Sequence, residues 1–358
     1  MPRRVVVAMS GGVDSSVAAA LLASQGWEVI GITMCFNLAD SKTKRPRCCG
    51  PSGIEDARRV AHKLKIKHYV LNMQKALNEY VIKDFCAEYL AGHTPNPCVR
   101  CNQYIKFGAL LKKAFSLGAQ YLATGHYARI RKGKAGYQLL KARDLKKDQS
   151  YFLYRLGQRQ LRSLIFPLGN YRKEQVRRKA SEFDLAVANK LGSQEICFLP
   201  DGSYQDFLQG LSGTLKKDIR PGPIFDRQGK LLGRHKGIPF YTIGQRQGLG
   251  VAASQPLYVL KMDAKKNAIV VGKKEEALSF EFLVKQVSFA LSPLEKKVAL
   301  RVKIRYNHQE SKACLEPVNR KIRVKFLEPQ FAITPGQSAV FYDKNKVVGG
   351  GIIDKILA

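Results

Sequence analysis

The first part of the chain alternates short apolar runs with segments of helical periodicity. Residues 4–9 (RVVVAM), 27–36 (WEVIGITMCF) and 68–72 (HYVLN) are rich in β-branched and aromatic side chains, which predicts strands. Between them, residues 14–23 and 54–64 place apolar side chains at helical spacing, which predicts helices. Strands that alternate with helices predict an α/β fold with a doubly wound parallel sheet, in which ligands bind beyond the carboxyl ends of the strands.

The pattern changes in the second half of the chain. Residues 219–250 are rich in Pro and Gly and contain short strands, which indicates a small separate unit. Farther on, residues 298–306 (VALRVKIRY), 321–326 (KIRVKF) and 338–342 (SAVFY) alternate apolar with polar positions. Because Gly, Pro and Asn separate these runs, they predict a small antiparallel β-barrel or sandwich.

The turn between the first strand and the first helix is residues 10–16, SGGVDSS. Gly11 and Gly12 allow positive φ and leave no side chain above the backbone, so that successive amides and a helix N-terminus can face one anion. Val13 and Asp14 stand where a Walker loop has its lysine, which disfavours γ-phosphate transfer. A Gly-rich turn that merely caps the helix is the alternative. The heptad resembles the PP-loop of the ATP pyrophosphatases, which cleave ATP between the α and β phosphates.

The charge composition indicates the class of binding partner. The chain has 61 Lys and Arg against 28 Asp and Glu, a formal net charge of +33, which predicts a polyanionic partner and favours nucleic acid over membrane. Sixteen of the basic residues lie between residues 129 and 179, interleaved with Tyr and Phe, which indicates an RNA-binding surface; a solvated helix face is the alternative. We expect no membrane span and no secretory signal, and therefore a cytoplasmic protein.

The cysteines are expected to be reduced and partly functional, because eight in a chain of 358 residues lack the spacing of a secreted disulfide framework. Pro95 and Pro97 are expected to delay helix formation, which leaves Cys98 and Cys101 in a stiff loop before a helix over residues 104–115. A thiol near a helix N-terminus is biased toward the thiolate. A single CxxC fits zinc, redox and iron–sulfur sites alike.

Another cysteine, Cys197, lies in the segment GSQEICFLPDG, between polar residues and a Pro-Asp-Gly turn. Cys48 and Cys49 are adjacent in a basic loop and receive no assigned role. The three remaining cysteines fall in apolar or alternating runs and are expected to pack in the interior; they are Cys35, Cys86 and Cys314.

Seven motifs occur in one order along nearly the whole chain: SGGVDSS, TPNPCVRCNQYIKF, ATGHY, KDQSYFL, GSQEICFLPDG, HKGIPFYTIGQRQGLG and PGQSAVFY. By this set the chain resembles the bacterial tRNA-specific 2-thiouridylases of the PP-loop ATP pyrophosphatase superfamily. The resemblance implies a PP-loop, adenine nucleotide alpha hydrolase-like domain over residues 1–203. A small central tRNA-binding domain over residues 204–256 and a C-terminal antiparallel β-barrel over residues 257–358 would follow.

The resemblance also implies the chemistry and its partners. ATP adenylates the C2 oxygen of a tRNA wobble uridine, Mg²⁺ neutralises the pyrophosphate, and a sulfur-donor protein supplies the sulfur to what is expected to be a monomer. The residues implied in ATP binding are Ala8, Met9, Ser10, Gly11, Gly12, Val13, Asp14, Ser15, Met34 and Gly125. The residues implied in tRNA binding are Asn96, Pro97, Cys98, His126, Lys147, Asp148, Gln149, Arg305, Tyr306 and Gln337.

Three residues carry the implied catalysis. Cys197 holds the persulfide, Cys101 is the nucleophile, and Asp14 orients the pyrophosphate or its metal. For Asp14, capping of the helix is the alternative, and the two roles are compatible. The transfer leaves a transient disulfide between Cys101 and Cys197.

The chain departs from the common family pattern at Cys98, where many members carry Asp. Two interpretations remain open. In one, Cys98 lines the target-base pocket while the other two cysteines carry out persulfide chemistry. In the other, Cys98, Cys101 and Cys197 hold a [4Fe-4S] cluster whose free iron binds the sulfide to be transferred.

Two other classes of function compete with this interpretation. A PP-loop enzyme that acts on a small molecule shares residues 10–16 but needs neither the charge nor the loop cysteines. A non-catalytic RNA-binding protein explains the charge and the β-domain but needs no reactive thiols.

Overall fold

The computed structural model describes residues 3–36, 51–190, 196–199, 204–210 and 219–357. Cys48 and Cys49 lie outside these ranges. Within them, no helix combines the length and the apolar character that crossing a bilayer requires.

A five-stranded parallel sheet forms the core of the N-terminal part, as the alternation of strands and helices predicts. Its order is β3-β2-β1-β4-β7, where the strands are β1 (Arg4–Ala8), β2 (Glu28–Cys35), β3 (Lys67–Asn72), β4 (Tyr121–Thr124) and β7 (Leu164–Ile165). The helices α1 (Val13–Ser24), α2 (Pro51–Lys63) and α8 (Lys173–Glu182) pack apolar side chains against it. Since β1 lies in the middle of this order, the turn that follows it opens at the centre of the sheet edge where ligands bind.

Two long helical segments contain π-helical stretches. In the first, α3 (Gln74–Leu77) continues through the π-helical Asn78–Ile82 into α4 (Lys83–Leu90). In the second, α5 (Pro97–Arg100) continues through the π-helical Cys101–Leu110 into α6 (Leu111–Ser116). Helices with i→i+5 bonding are rare and are often found at functional sites.

The predicted loop around Cys98 and Cys101 is wrong. Pro97 is the first residue of α5, where the missing N–H costs nothing, and the Asn96 side chain caps the helix by accepting from the Val99 N–H at 3.3 Å. Cys98 therefore lies in the first turn of a helix, and Cys101 begins its π-helical part.

The central part contains a four-stranded sheet of order β10-β11-β8-β9. Its strands are β8 (Gly222–Phe225), β9 (Leu231–His235), β10 (Tyr258–Asp263) and β11 (Ala268–Gly272), and α9 (Tyr204–Gln209) precedes them. The sequence-based division at residue 256 assigned residues 258–272 to the C-terminal domain, whereas β11 pairs with β8 and so joins the central sheet.

Six antiparallel strands close into a barrel near the C-terminus, which confirms the predicted β-barrel. They are β12 (Leu278–Phe289), β13 (Val298–Lys303), β14 (Ser311–Val318), β15 (Lys321–Phe331), β16 (Ser338–Asp343) and β17 (Lys346–Leu357). Pairing of β12 with both β15 and β17 closes the ring, and side chains such as Phe282, Val324 and Phe341 fill it. Closure leaves no strand edge within the ring itself.

A hairpin of the N-terminal part reaches this barrel. The strands β5 (Ala128–Gly133) and β6 (Gly136–Lys141) pair with each other, and β6 meets β17 at Leu140 and Lys346. The barrel is thereby joined to the N-terminal domain. That domain carries the turn at residues 10–16, called the phosphate loop below, and the helical segment at residues 97–116 with Cys98 and Cys101, called the cysteine helix.

Candidate active site

The turn after β1 is built to present backbone amides. Gly11 has φ +71°, and a side chain there would collide with the Gly53 carbonyl of α2. Gly12 precedes α1, and no side chain caps that helix. The Ser15 hydroxyl accepts from the Ser10 N–H at 3.1 Å, which holds the turn closed across its base. An anion at this turn therefore meets a helix N-terminus without competition from a capping side chain.

Asp14 in the first turn of α1 has two distant partners on the same oxygen. Lys173 Nζ of α8 lies 2.6 Å from Asp14 Oδ1, and the Tyr127 hydroxyl donates to that oxygen at 2.7 Å. A second lysine, Lys190, donates to the Gly11 carbonyl at 3.1 Å and to Asp56 Oδ2 at 2.6 Å. Two ammonium groups thus stand beside a loop that lacks the Walker lysine.

Sequence reasoning did not single out Lys173, Lys190 or Tyr127. Lys173 falls within the basic stretch predicted to bind RNA, yet it lies against the phosphate loop, 159 residues away in sequence from its carboxylate partner. Tyr127 belongs to the ATGHY motif, which was the only available signal. Contacts over such separations leave no mark in the local pattern.

The other residues implied in nucleotide binding lie along the same edge of the sheet. Gly125 follows β4, and a Cβ there would lie 2.7 Å from the Ser15 amide nitrogen and 3.1 Å from Asp14 Cβ, so that only glycine fits against α1. Met34 is half-buried near the end of β2, and Ala8 ends β1. The sheet edge that is predicted to bind ligands therefore contains the phosphate loop, Gly125 and Met34.

The two helical cysteines have raised pKa values, which favours the neutral thiol at neutral pH. Burial raises the pKa of the Cys98 thiol to about 11, and the neighbouring Cys101 adds to the rise, whereas the Lys106 ammonium opposes it. Burial also raises the pKa of Cys101, again opposed by Lys106. These shifts run opposite to the expected bias toward thiolate, and loss of hydration is the largest cause of each. Lys106 lies near both thiols, and sequence reasoning did not single it out.

Cys197 and Cys101 share an apolar environment. Both belong to one cluster that also contains Phe85 and Phe198, whose ring centroids lie 5.2 Å apart. Across the described ranges, no three Cys, His, Asp or Glu side chains come together in a group that could hold a metal ion. The arrangement of Cys98, Cys101 and Cys197 therefore does not fit a three-cysteine cluster site.

The barrel brings three of the residues implied in tRNA binding to the cysteine helix. Gln337 Nε2 donates to the carbonyls of Thr94 at 3.0 Å and Pro95 at 3.4 Å, directly before α5. Tyr306 packs on Phe152 with ring centroids 4.5 Å apart, and the Phe152 carbonyl accepts from Asn102 Nδ2 at 3.2 Å.

Arg305 interacts electrostatically with Tyr151 of the N-terminal part, and its Nη1 donates to the Phe331 and Ala332 carbonyls at 3.3 Å each. Asn96 caps α5 and also bonds to the buried Tyr151 hydroxyl. Six of the ten residues implied in tRNA binding therefore lie where the C-terminal barrel meets the N-terminal domain. They are Asn96, Pro97, Cys98, Arg305, Tyr306 and Gln337.

The four remaining residues implied in tRNA binding differ in exposure. Lys147 is exposed, whereas Asp148 is buried and accepts from the Ala142 N–H at 2.9 Å and from the Ser150 hydroxyl at 2.7 Å. Gln149 accepts from the Tyr127 N–H at 2.9 Å.

His126 is buried, with its Nδ1 2.6 Å from the Thr124 hydroxyl and its ring between Phe107 and Phe166. Burial lowers its pKa well below 6.5, so this imidazole is neutral. In this conformation Lys147 is the member of the four that is directly open to a polyanion.

Comparison with known proteins identifies the family. Three family models match in series: a tRNA methyl transferase HUP domain over residues 3–201, a tRNA methyl transferase PRC-barrel domain over residues 205–273, and an aminomethyltransferase β-barrel domain over residues 279–353. The tRNA-specific 2-thiouridylase MnmA 1 of Caldanaerobacter subterraneus subsp. tengcongensis is 49% identical, covering 98% of each chain. The chain belongs to the tRNA-specific 2-thiouridylase family.

Other members of the 2-thiouridylase family agree with this assignment. The MnmA of Halothermothrix orenii is 50% identical over 98% of each chain, and MnmA 2 of a Thermoanaerobacter species is 49% identical over 99% of this chain and 98% of its own. The family-model descriptions name methyl transferases, whereas these full-length relatives are named 2-thiouridylases. Membership in the 2-thiouridylase family rests on the full-length relatives.

Proposed function

We propose that this protein is an ATP-dependent tRNA-uridine 2-sulfurtransferase that replaces the C2 oxygen of a wobble uridine with sulfur. The observation that carries the proposal is the identity of 49% to 50% with named 2-thiouridylases over nearly the full chain. The phosphate loop, the cysteine helix and the barrel turn at Gln337 support it, because the reaction needs nucleotide, thiol and RNA at one place.

The first step activates a poor electrophile. A uracil carbonyl has no leaving group, so its O2 attacks the α phosphorus of ATP, pyrophosphate departs, and AMP remains on that oxygen. The amides of Gly11 to Val13 and the ammonium groups of Lys173 and Lys190 hold the departing phosphates. Positive groups fixed beside the developing charge lower the barrier most effectively when water is excluded.

The loop also suits a magnesium ion. Mg²⁺ binds through one or two carboxylates together with phosphate oxygens, and Asp14 supplies one carboxylate at the phosphate loop. When bound, the ion neutralises charge on the pyrophosphate. Tyr127 and Lys173 hold Oδ1 of Asp14, which orients the carboxylate.

The second step transfers sulfur. A donor protein leaves a persulfide on Cys197, and its terminal sulfur attacks C2, so that AMP leaves with the original oxygen. The thiolate of Cys101 then attacks Sγ of Cys197, which forms a disulfide and releases the 2-thiouridine sulfur with its electron pair. A dithiol reductant restores both cysteines before the next cycle.

The apolar surroundings of the cysteines suit this chemistry. An apolar site protects a persulfide and an adenylated base from water. Lys106 is the cation that favours thiolate formation at Cys98 and Cys101 once substrate is present. Because the described donor groups do not fit a [4Fe-4S] cluster, we derive no step through one, and Cys98 is proposed to line the target-base pocket.

Further properties follow from the family assignment as proposals. They are a monomeric state, a cytoplasmic location, a protein that donates the persulfide sulfur, and tRNA contacts at the ten residues implied above. Pyrophosphate release measured with and without tRNA tests the assignment against a small-molecule enzyme, which would need no RNA. Nucleoside analysis with Cys101→Ser and Cys197→Ser tests it against a non-catalytic RNA-binding protein, for which both variants would leave 2-thiouridine unchanged.

A further inference from the structure

Two tyrosines form a stack at the surface beside the cysteine helix. Tyr80 and Tyr104 have ring centroids 5.1 Å apart and an interplanar angle of 16°. Tyr80 is nevertheless 41% exposed. Because Tyr104 covers one face of that ring, most of this exposure comes from its other face and edges.

Arg100 and Asp84 support the Tyr104 side of the stack. The Arg100 guanidinium lies 5.7 Å from the Tyr104 ring centroid and donates to the Tyr104 hydroxyl at 3.4 Å. Arg100 is itself fixed by two hydrogen bonds to Asp84, one of them at 3.0 Å. Asp84 stands four residues after Tyr80, so one ion pair ties together the two helical segments that carry the rings.

The backbone at both rings is unusual. Tyr80 lies in the π-helical Asn78–Ile82, and Tyr104 lies in the π-helical Cys101–Leu110. π-Helical turns are frequently found at functional sites. Two such segments meet at this stack, and the second begins with the proposed nucleophile.

Charged side chains of both signs surround the rings, since Glu79 is exposed beside Tyr80 and Asp84 pairs with Arg100. Lys83 is exposed one helical turn from Tyr80, and Arg100 directly precedes Cys101. Bases of single-stranded nucleic acid bind by stacking on exposed aromatic rings while basic side chains hold the backbone. An apolar protein partner would find a single ring here, with charged side chains around it.

We propose that Tyr80 and Tyr104 form a stacking platform for an unpaired anticodon-loop base next to the target uridine. The platform holds the loop while the target base enters the cysteine site. This inference rests on the proposed function, because it assigns a subsite for the same tRNA. Tyr80 supplies the open face, Tyr104 covers the opposite face, and Arg100 holds the Tyr104 side chain in place.

The test uses the full chain and an unmodified tRNA transcript with 2-aminopurine in the anticodon loop. Tyr80→Leu is expected to weaken tRNA binding about tenfold, within the range for one base–aromatic stack, and to abolish the quenching of 2-aminopurine fluorescence. Tyr80→Phe and Tyr80→Trp keep a flat ring and are expected to bind and quench like the unsubstituted protein. A structural role alone would not follow the presence of an aromatic ring in this way.

The matched control is Tyr69→Leu. Tyr69 is 45% exposed on β3, and it has no ring partner within the described part of the chain. This variant is expected to bind tRNA normally.

Four results would separate the two claims. Unchanged affinity and quenching in Tyr80→Leu, or an equal loss in Tyr69→Leu, would overturn the platform. Loss of affinity in Tyr80→Phe and Tyr80→Trp as large as in Tyr80→Leu would also overturn it. Absence of tRNA binding by the unsubstituted protein would instead overturn the proposed function.

Discussion

Gln337 Nε2 donates to the Thr94 carbonyl at 3.0 Å and so joins the barrel to the segment before the cysteine helix, across 243 residues of sequence. The Thr94 N–H in turn donates to the Pro335 carbonyl at 2.9 Å. Between them, Gly336 has φ +91°, and a Cβ there would lie 2.9 Å from both His93 Cβ and the Thr94 nitrogen. The barrel turn thus fixes where α5 begins and where Cys98 and Cys101 lie.

This contact predicts that Gly336→Ala is destabilising and slows thiolation. Both the strained φ and the collision with Thr94 contribute, and we expect a loss of about 1–3 kcal/mol in the free energy of unfolding. Gly229→Ala is the matched control, because Gly229 has φ +88° with no atom within 4 Å of the added Cβ. Urea unfolding of both variants measures the difference. Equal losses would show that the crowding against Thr94 has no effect.

Removal of the ammonium group beside the phosphate loop should impair the adenylation step. We expect Lys173→Gln to lower tRNA-dependent pyrophosphate release by about 100-fold, because fixed positive groups act on the charge that develops in the transition state. Arg178→Gln changes an exposed residue of the same helix and serves as the control. Release by Lys173→Gln at the rate of this control would contradict a role for Lys173 at the phosphates.

The raised pKa of the half-buried Cys98 predicts a pH dependence of its reactivity. Because burial raises the pKa of Cys98 from 9.0 to about 11, this thiol is expected to react slowly with iodoacetamide at neutral pH and faster as pH rises toward 11. Lys106→Gln removes the opposing ammonium, so the profile should move to still higher pH. Mass spectrometry of alkylated peptides at a series of pH values measures it, with the exposed Lys112→Gln as the control. A profile unmoved by Lys106→Gln would contradict the assigned role.

The raised pKa of Cys98 also predicts how the stability of the protein depends on pH. A folded-state pKa above the unfolded value stabilises the protein fully below the unfolded pKa, and the contribution is lost as pH rises through the folded pKa. For Cys98 the free energy of unfolding should therefore fall between about pH 9 and pH 11. Cys98→Ala should remove that part of the decline.

An ion pair between the hairpin and the barrel should be costly to break. Lys141 Nζ lies 2.6 Å from Glu310 Oε1 and 4.6 Å from the Tyr342 ring centroid, and side-chain exposures of 11% and 17% leave the pair little water. Lys141→Met leaves the buried Glu310 carboxylate without a positive partner, and we expect the free energy of unfolding to fall by about 3 kcal/mol. The double variant with Lys141→Met and Glu310→Leu should recover much of this loss.

The exposed pair of Arg58 and Glu55 provides the comparison for this prediction. Arg58 Nη1 lies 3.8 Å from Glu55 Oε2, and both side chains are more than half exposed. Arg58→Met should therefore lower the free energy of unfolding by less than about 1 kcal/mol. Chemical denaturation of all three variants gives the energies. A loss in Lys141→Met no greater than that in Arg58→Met would contradict the assigned role of the buried pair.

The sequence was most informative where local pattern decides the structure. The phosphate turn was predictable because Gly11, Gly12 and the flanking strand and helix are consecutive, and the barrel was predictable from alternating runs. The start of α5 was missed because Pro97 disrupts a helix interior but is tolerated in the first turn.

Tertiary packing decided the remaining features. Lys173, Lys190 and Gln337 reach their partners over more than a hundred residues, and no local spacing encodes such contacts. Burial of Cys98 and Cys101 reversed the expected direction of their pKa shifts, because the low-dielectric interior outweighs a helix end. Chemistry-bearing residues were therefore easier to identify than their electrostatic state.

Mass spectrometry of tRNA nucleosides tests the central claim most directly. Purified protein is incubated with unmodified tRNA, ATP, Mg²⁺ and a persulfide donor, and the wobble uridine is analysed. We predict 2-thiouridine that requires ATP, Cys101 and Cys197 together. Pyrophosphate release in the presence of tRNA, with uridine that never exchanges its oxygen for sulfur, would contradict the account.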